Sequence, residues 1–267
     1  MKFTSLIITI LFLAGPSFAS DFGFSNLSQN DVDEVFKEFS ATFTHSTVTG
    51  AKSKSKIFGI EAGVVAGVTS SDIVKDIVER SLPAGSEDIN YLPFASLYAL
   101  VSFPFGITAE ANFMPEIDVQ DVEFKHLSLA GKIELTYFME LPVELAIRAM
   151  LIDTSASITQ SSQAFGGFVG EVGYKQTQMG LQAIVGKSFG IVEPYASIGF
   201  VRSSGELTAR GSGTIFNFTP SDSVDSSASG LQVALGLQVN LLLVKVGAEY
   251  VNAYGANHLN AKVALSF

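Results

Sequence analysis

From Ile57 onward, apolar side chains recur at every second position, over stretches longer than a soluble strand usually runs. Phe58, Ile60, Ala62, Val64, Ala66 and Val68 share one face of the first stretch, with Gly59, Glu61, Gly63, Val65 and Gly67 on the other. Successive strand side chains point to opposite faces, so one face here is continuously apolar. Strands in globular proteins most often run about 5–6 residues, whereas crossing a bilayer at a tilt takes about 9–11. A face this long and this apolar is suited to lipid.

The same alternation returns through the chain. Its apolar phases are 95–103, 107–113, 127–137, 143–151, 179–185, 231–239, 242–250 and 259–267, with a weaker one over 195–203. This predicts an all-β fold, a transmembrane antiparallel β-barrel of about ten strands, an even number as single-chain bacterial barrels have. Two further stretches, 41–48 and 158–175, would raise the number to about twelve. The connections alternate in length. Short ones fall at 104–105, 140–142, 190–193 and 240–241, and longer ones at 70–92, 115–123, 158–167 and 209–228, with a short 254–257. Short turns face the periplasm and longer loops the exterior in such barrels, which puts both ends of the barrel sequence on the periplasmic side.

Hydrophobic residues make up 47% of the chain and charged ones 16%. Beyond the N-terminus no apolar run reaches the length of a membrane helix, so the apolar content is spread among strands. Lys2, the apolar stretch 6–14 and Ser17-Phe18-Ala19 read as a secretory signal over 1–19. The expected organisation is therefore a signal peptide over 1–19, an N-terminal helix-containing segment over 20–56 and the barrel over 57–267. Ser28 as an N-cap with Asp31, followed by Val32, Val35, Phe36 and Phe39, predicts the helix of that segment. It is either a periplasmic appendage or a plug in the barrel mouth. A second helix is expected over 71–81, within a long loop.

The net charge of −10 excludes nucleic acid binding through a general field. The absence of Cys excludes disulfides and a lipidated N-terminal Cys. Charges on the alternating polar face cannot meet lipid, where each cation would cost about 2–4 kcal/mol at mid-depth. The expected lumen network is Glu61, Glu110, Glu134, Glu144 and Glu249 with Lys132, Arg148, Lys245 and Lys262. Counting across a three-residue turn at 140–142 pairs Glu134 with Arg148. Counting across a four-residue loop at 254–257 pairs Glu249 with Lys262. Lys187 and Arg202 fall on the apolar phase near strand ends, where they can snorkel.

With its signal segment, alternating strands and terminal Leu265-Ser266-Phe267, the chain resembles bacterial outer-membrane β-barrel proteins. The resemblance implies a cell outer membrane location, with outer-membrane lipids and lipopolysaccharide as its surroundings. It also implies that Leu265 and Phe267 form a signal read by the barrel-assembly machinery. Residues 92–152 are similar to an uncharacterised barrel family through Leu92-Pro93, Pro104, Gly106, Phe113, Pro115 and Ile117, which brings no activity. His126 and Ser128 resemble the His-x-Ser motif of lipid A deacylases, but Leu129 stands where those enzymes have Asn, and the phase points both inward. They read as a polar lumen pair. Glu116, Asp118, Asp121 and Glu123 read as a solvated acidic loop, since the Asp-x-Asp-x-Asp-Gly pattern of a calcium loop is missing. No catalytic residue, cofactor or metal is expected. The function expected is a narrow gated conduit for small or apolar solutes. The alternatives are a structural or surface-interaction barrel and, after that, a lipid hydrolase.

Overall fold

A computed structural model describes residues 29–53, 58–72, 75–76, 91–119, 122–162, 168–212 and 221–267. One helix, α1 (Gln29–Thr42), precedes ten strands: β1 (Gly59–Ser70), β2 (Tyr91–Ser102), β3 (Ile107–Val119), β4 (Val122–Glu134), β5 (Glu144–Ser162), β6 (Phe168–Gly186), β7 (Val192–Ser212), β8 (Ser221–Leu241), β9 (Val244–Ala253) and β10 (Ala256–Ser266). Each strand pairs antiparallel with its neighbours in sequence, and β1 pairs with β10 to close the barrel. The final residue completes the closure: Ile60 N donates to Phe267 O at 2.9 Å, and Phe267 N donates to Ile60 O at 2.8 Å. The signal segment lies outside the described residues. Of the loop helix, Asp72, Lys75 and Asp76 are helical and the rest of 71–81 includes residues that are not described.

The strand number is ten because one extra alternating stretch lengthens strands and the other enters the lumen. Residues 158–162 finish β5 and 168–175 begin β6, and this hairpin rises with β7 and β8 past the end of β4. Residues 44–50 are not a strand; they form an irregular segment inside the barrel. The outward phase is apolar and solvent-facing all the way round, with Val64, Leu97, Leu129, Leu151, Leu181, Phe200, Leu235 and Val263 among its exposed residues. A soluble monomer does not expose a contiguous apolar surface of this extent, and a bilayer removes the cost. The fold is that of an outer-membrane-type barrel. At the loop end of β5 to β8 the outward residues turn polar, as at Asp153, Thr177, Ser204 and Ser227, which stand in one row.

Two registers differ from those expected. Arg148 faces Lys132, and Glu134 faces Ala146, because β4 ends at Glu134 and a 3-10 turn over Leu135–Tyr137 follows. Lys262 faces Gly247, and Glu249 faces Asn260, because the β9–β10 loop is a tight turn at Tyr254-Gly255. Both turn residues take positive φ, 53° and 91°. Such a two-residue turn matches the twist of a hairpin, which is why Gly is needed there. Each ladder slips by one inward step, so every side chain keeps its face.

Candidate functional site

The lumen is occupied by the chain's own residues. Residues 40–51 are buried without interruption. Contacts order them along the barrel. Near the loop end Ser226 Oγ donates to Asp33 at 2.7 Å, and Ser40 Oγ donates to Gln176 at 3.0 Å and lies 3.0 Å from Ser203 Oγ. Deeper, Ser46 Oγ donates to Glu249 at 2.7 Å. Toward the turn end Lys132 Nζ donates to Gly50 O at 2.7 Å, and Ser53 N donates to Glu134 at 2.6 Å. The chain thus enters at the loop end as α1, descends the lumen, and reaches β1 from the turn end.

Two carboxylates organise the wall. Glu110 lies 3.2 Å from Arg148, 3.6 Å from Lys132 and 3.1 Å from His45 Nε2, and accepts from Thr47 at 2.8 Å. Glu61 lies 2.8 Å from Lys262 and 3.1 Å from Lys245, and accepts from Tyr98 OH at 2.6 Å. All six charged wall residues of these two clusters are buried. Buried charges carry a heavy desolvation cost unless paired and hydrogen-bonded, and here each acid serves two cations. Glu249 accepts from Ser46 and, at 2.9 Å, from Tyr195 OH. Glu134 and Glu144 sit half-buried at the turn-end rim, with Lys52 4.0 Å from Glu144. The network expected from sequence is therefore split into two inner clusters, one lone inner acid and two rim acids.

The cations do more than pair with the wall. Arg148 donates to Thr49 Oγ1 at 2.8 Å, and Asn112 donates to Ser46 O. Plug residues missing from the expected network are Ser40, Thr44, His45, Ser46, Thr47 and Thr49. Their signal in the sequence is a hydroxyl-rich stretch over 40–49, whose side chains can both donate and accept. Val48 takes a φ of 49°, an unfavourable conformation for a β-branched residue. Its side chain is held against Val65, Tyr98 and Leu100.

His45 Nδ1 lies 2.5 Å from Ser128 Oγ while its Nε2 meets Glu110, so the three stand in serine–histidine–carboxylate order. All three are buried, and Glu110 is already committed to two cations. The arrangement works as a latch between plug and wall. Ser128 and His126 make no dyad: His126 Nδ1 pairs with Thr154 Oγ1 at 2.9 Å. The acidic residues expected in a loop stand mostly in strands: Glu116 and Asp118 are in β3 and Glu123, exposed, is in β4 opposite Asp118, while Asp121 lies outside the described residues. Among the described residues no group of His, Asp and Glu is placed to hold a metal ion.

The model of a family of unknown function, DUF6588, matches residues 1–267. No curated protein matches the chain. Among solved structures it is similar to the translocator domain of autotransporter NalP from Neisseria meningitidis, at 12% identity and a TM-score of 0.47, covering 80% of this chain and 89% of that one. It is similar to the outer membrane protease OmpT from Escherichia coli, at 12% identity and a TM-score of 0.43, covering 83% and 100%. It is also similar to Ail, the attachment invasion locus protein of Yersinia pestis, at 12% identity and a TM-score of 0.34, covering 79% and 97%.

Proposed function

The chain belongs to the DUF6588 family of unknown function, which hands it no activity, and we propose that it is an integral outer-membrane barrel acting as a gated conduit, closed at rest by residues 29–53. The observation that carries this reading is the nature of the plug's contacts. Through the middle of the lumen hydrogen bonds join Ser40, His45, Ser46, Thr47, Thr49 and Gly50 to wall side chains, with Val48 packed against Val65, Tyr98 and Leu100 among them. Water can replace each of these hydrogen bonds, and each is worth about 1.5–3 kcal/mol net where one partner is charged. A barrel closed for rigidity alone would instead be filled by side chains meeting across the lumen. The barrel is exported by the signal over 1–19, assembled through its terminal Leu265 and Phe267, and bounded by outer-membrane lipid and lipopolysaccharide. A non-catalytic reading is supported by the Ser128 hydroxyl, which is buried and hydrogen-bonded to His45 of the plug.

Ser40 and Ser203 supply the test. Their hydroxyls are 3.0 Å apart, and the chain has no other Cys to interfere. Ser40→Cys with Ser203→Cys, oxidised, should tie the plug to β7 and silence openings in a planar bilayer under applied voltage. Reduction should restore them. Equal current from the locked and reduced forms would sink the gated reading. Silence in both, and in the unmodified chain, would favour a structural barrel.

A further inference from the structure

The barrel wall is not equally sealed all round. The β2–β3 ladder runs only from Ser102–Thr108 to Leu97–Phe113, although β2 continues to Tyr91 and β3 to Val119. On its other edge β2 stays paired with β1 as far as Tyr91–Ser70. β3 stays paired with β4 as far as Val119–Val122, through an irregularity between Met114 and Ile117. The loop-end halves of both strands are therefore held by their outer neighbours and not by each other. Pro93 and Pro115 stand in these two halves. Neither has an N–H to give a ladder, and proline in a sheet belongs at an edge or a bulge.

The two sides of this seam differ in chemistry. Outside, Leu97 and Phe113 are exposed where the ladder stops, and Tyr91 is exposed at the rim. Leu97 and Phe113 stand in one row with Leu127 and then Asp153, where the outward face turns from apolar to polar. On β1 beside the seam the exposed apolar face continues past Val64 to Val68, opposite Pro93, so the seam opens within reach of acyl chains. Non-helical or unpaired backbone at membrane depth is tolerated where it lines an opening in the protein. Inside lies a ring cluster. The Phe94 ring is 5.4 Å from His126 and 5.9 Å from Phe43, and Phe43 is 5.2 Å from Phe124. On the same inward face are two buried polar atoms without a hydrogen-bond partner among the described residues, Ser96 Oγ, two residues along β2 from Phe94, and His126 Nε2 in the cluster itself. A buried polar atom left unpaired is costly, so the pair is a place for a polar group to arrive.

We propose that the β2–β3 seam is a lateral portal, through which the acyl chain of an outer-leaflet lipid reaches the Phe94 ring cluster with its polar end toward Ser96 and His126. The site rests on the membrane placement of the barrel and not on the plug's leaving. The chain contains no Trp, so single reporters can be placed. Phe94→Trp looks inward at the seam, Tyr195→Trp looks inward away from it, and Leu97→Trp looks out at lipid. Each is reconstituted in bilayers of phospholipid brominated on the acyl chain, and the loss of fluorescence is read against unbrominated lipid. F94W should be quenched nearly as strongly as L97W, and Y195W far less. Adding Pro93→Val and Pro115→Val, which restores two ladder donors, should lower the quenching of F94W. Quenching at F94W no greater than at Y195W, with L97W quenched, would overturn the portal alone. No quenching at L97W would overturn the membrane placement and the portal with it.

Discussion

Lys132 and Arg148 face each other directly across β4 and β5, and Glu110 reaches from β3 to within 3.6 Å of the first and 3.2 Å of the second. Like charges opposite one another in a sheet repel, and a third strand supplies the anion that offsets this repulsion. Glu110→Gln keeps the shape and removes the charge. It leaves two buried cations uncompensated and weakens the bonds from Thr47 and His45. Breaking a buried pair in this way costs about 3–5 kcal/mol. The expected outcome is a lower unfolding temperature and more frequent channel openings in the same variant. Unchanged values of both would show that the wall cations do not depend on this carboxylate.

Phe267 makes both its backbone hydrogen bonds to Ile60 and thereby ties the last residue to the first strand. Deleting it removes that pair and one exposed aromatic from the turn-end rim, where Phe58, Phe103 and Phe138 are also exposed. Pulse-chase labelling should show slower conversion to the heat-modifiable folded form. Conversion at the normal rate would mean that Leu265 and the rest of β10 suffice.

Much of this wall was legible because each strand meets two surroundings at once. Val64 must suit lipid and Glu61 must suit the lumen, and that contrast is written every second residue. Register was not legible, because it depends on turn conformation. The 3-10 turn after Glu134 and the positive φ of Tyr254 each move a ladder by two residues without disturbing the alternation. The plug's path was not legible either. Thr47 and Glu110 are far apart in sequence, and nothing local to 40–51 says which wall residues its hydroxyls will meet.

Gly255 tests the register correction. Its φ of 91° suits glycine, and its neighbour Tyr254 already holds a φ of 53°. Gly255→Val forces a β-branched residue into that conformation, at a cost of about 1–3 kcal/mol. The expected outcome is a lower unfolding temperature, with Gly255→Asn much milder because Asn tolerates the left-handed region. Equal stability of both variants would contradict a tight turn at this position.

His126 tests the non-catalytic reading. It pairs with Thr154 and not with Ser128, and it is buried against Phe94 and Phe43. His126→Ala should leave the mass spectrum of lipid A unchanged in cells that overproduce the barrel. A lost acyl chain in the parent strain that returns in the variant would make the protein a hydrolase.

Deleting residues 21–50 tests the plug itself. In the intact chain Lys132 and Arg148 spend donors on Gly50 and Thr49, and Gln178 donates to Thr44 at 3.4 Å. Without the segment these groups face an empty lumen and become hydrated, as do Gln176, Gln232 and Ser203 around them. Conductance should rise to a steady level in place of brief openings. Among the described wall residues the buried cations Lys132, Arg148, Lys245 and Lys262 are offset by Glu61, Glu110, Glu193 and Glu249. With neither sign dominant, the opened lumen should show a reversal potential near zero in a salt gradient. Strong selectivity for one sign would mean that one set of wall charges collapses onto its partners while the other stays hydrated. An unchanged conductance, with the barrel still folded, would show that residues 21–50 do not hold the pathway shut.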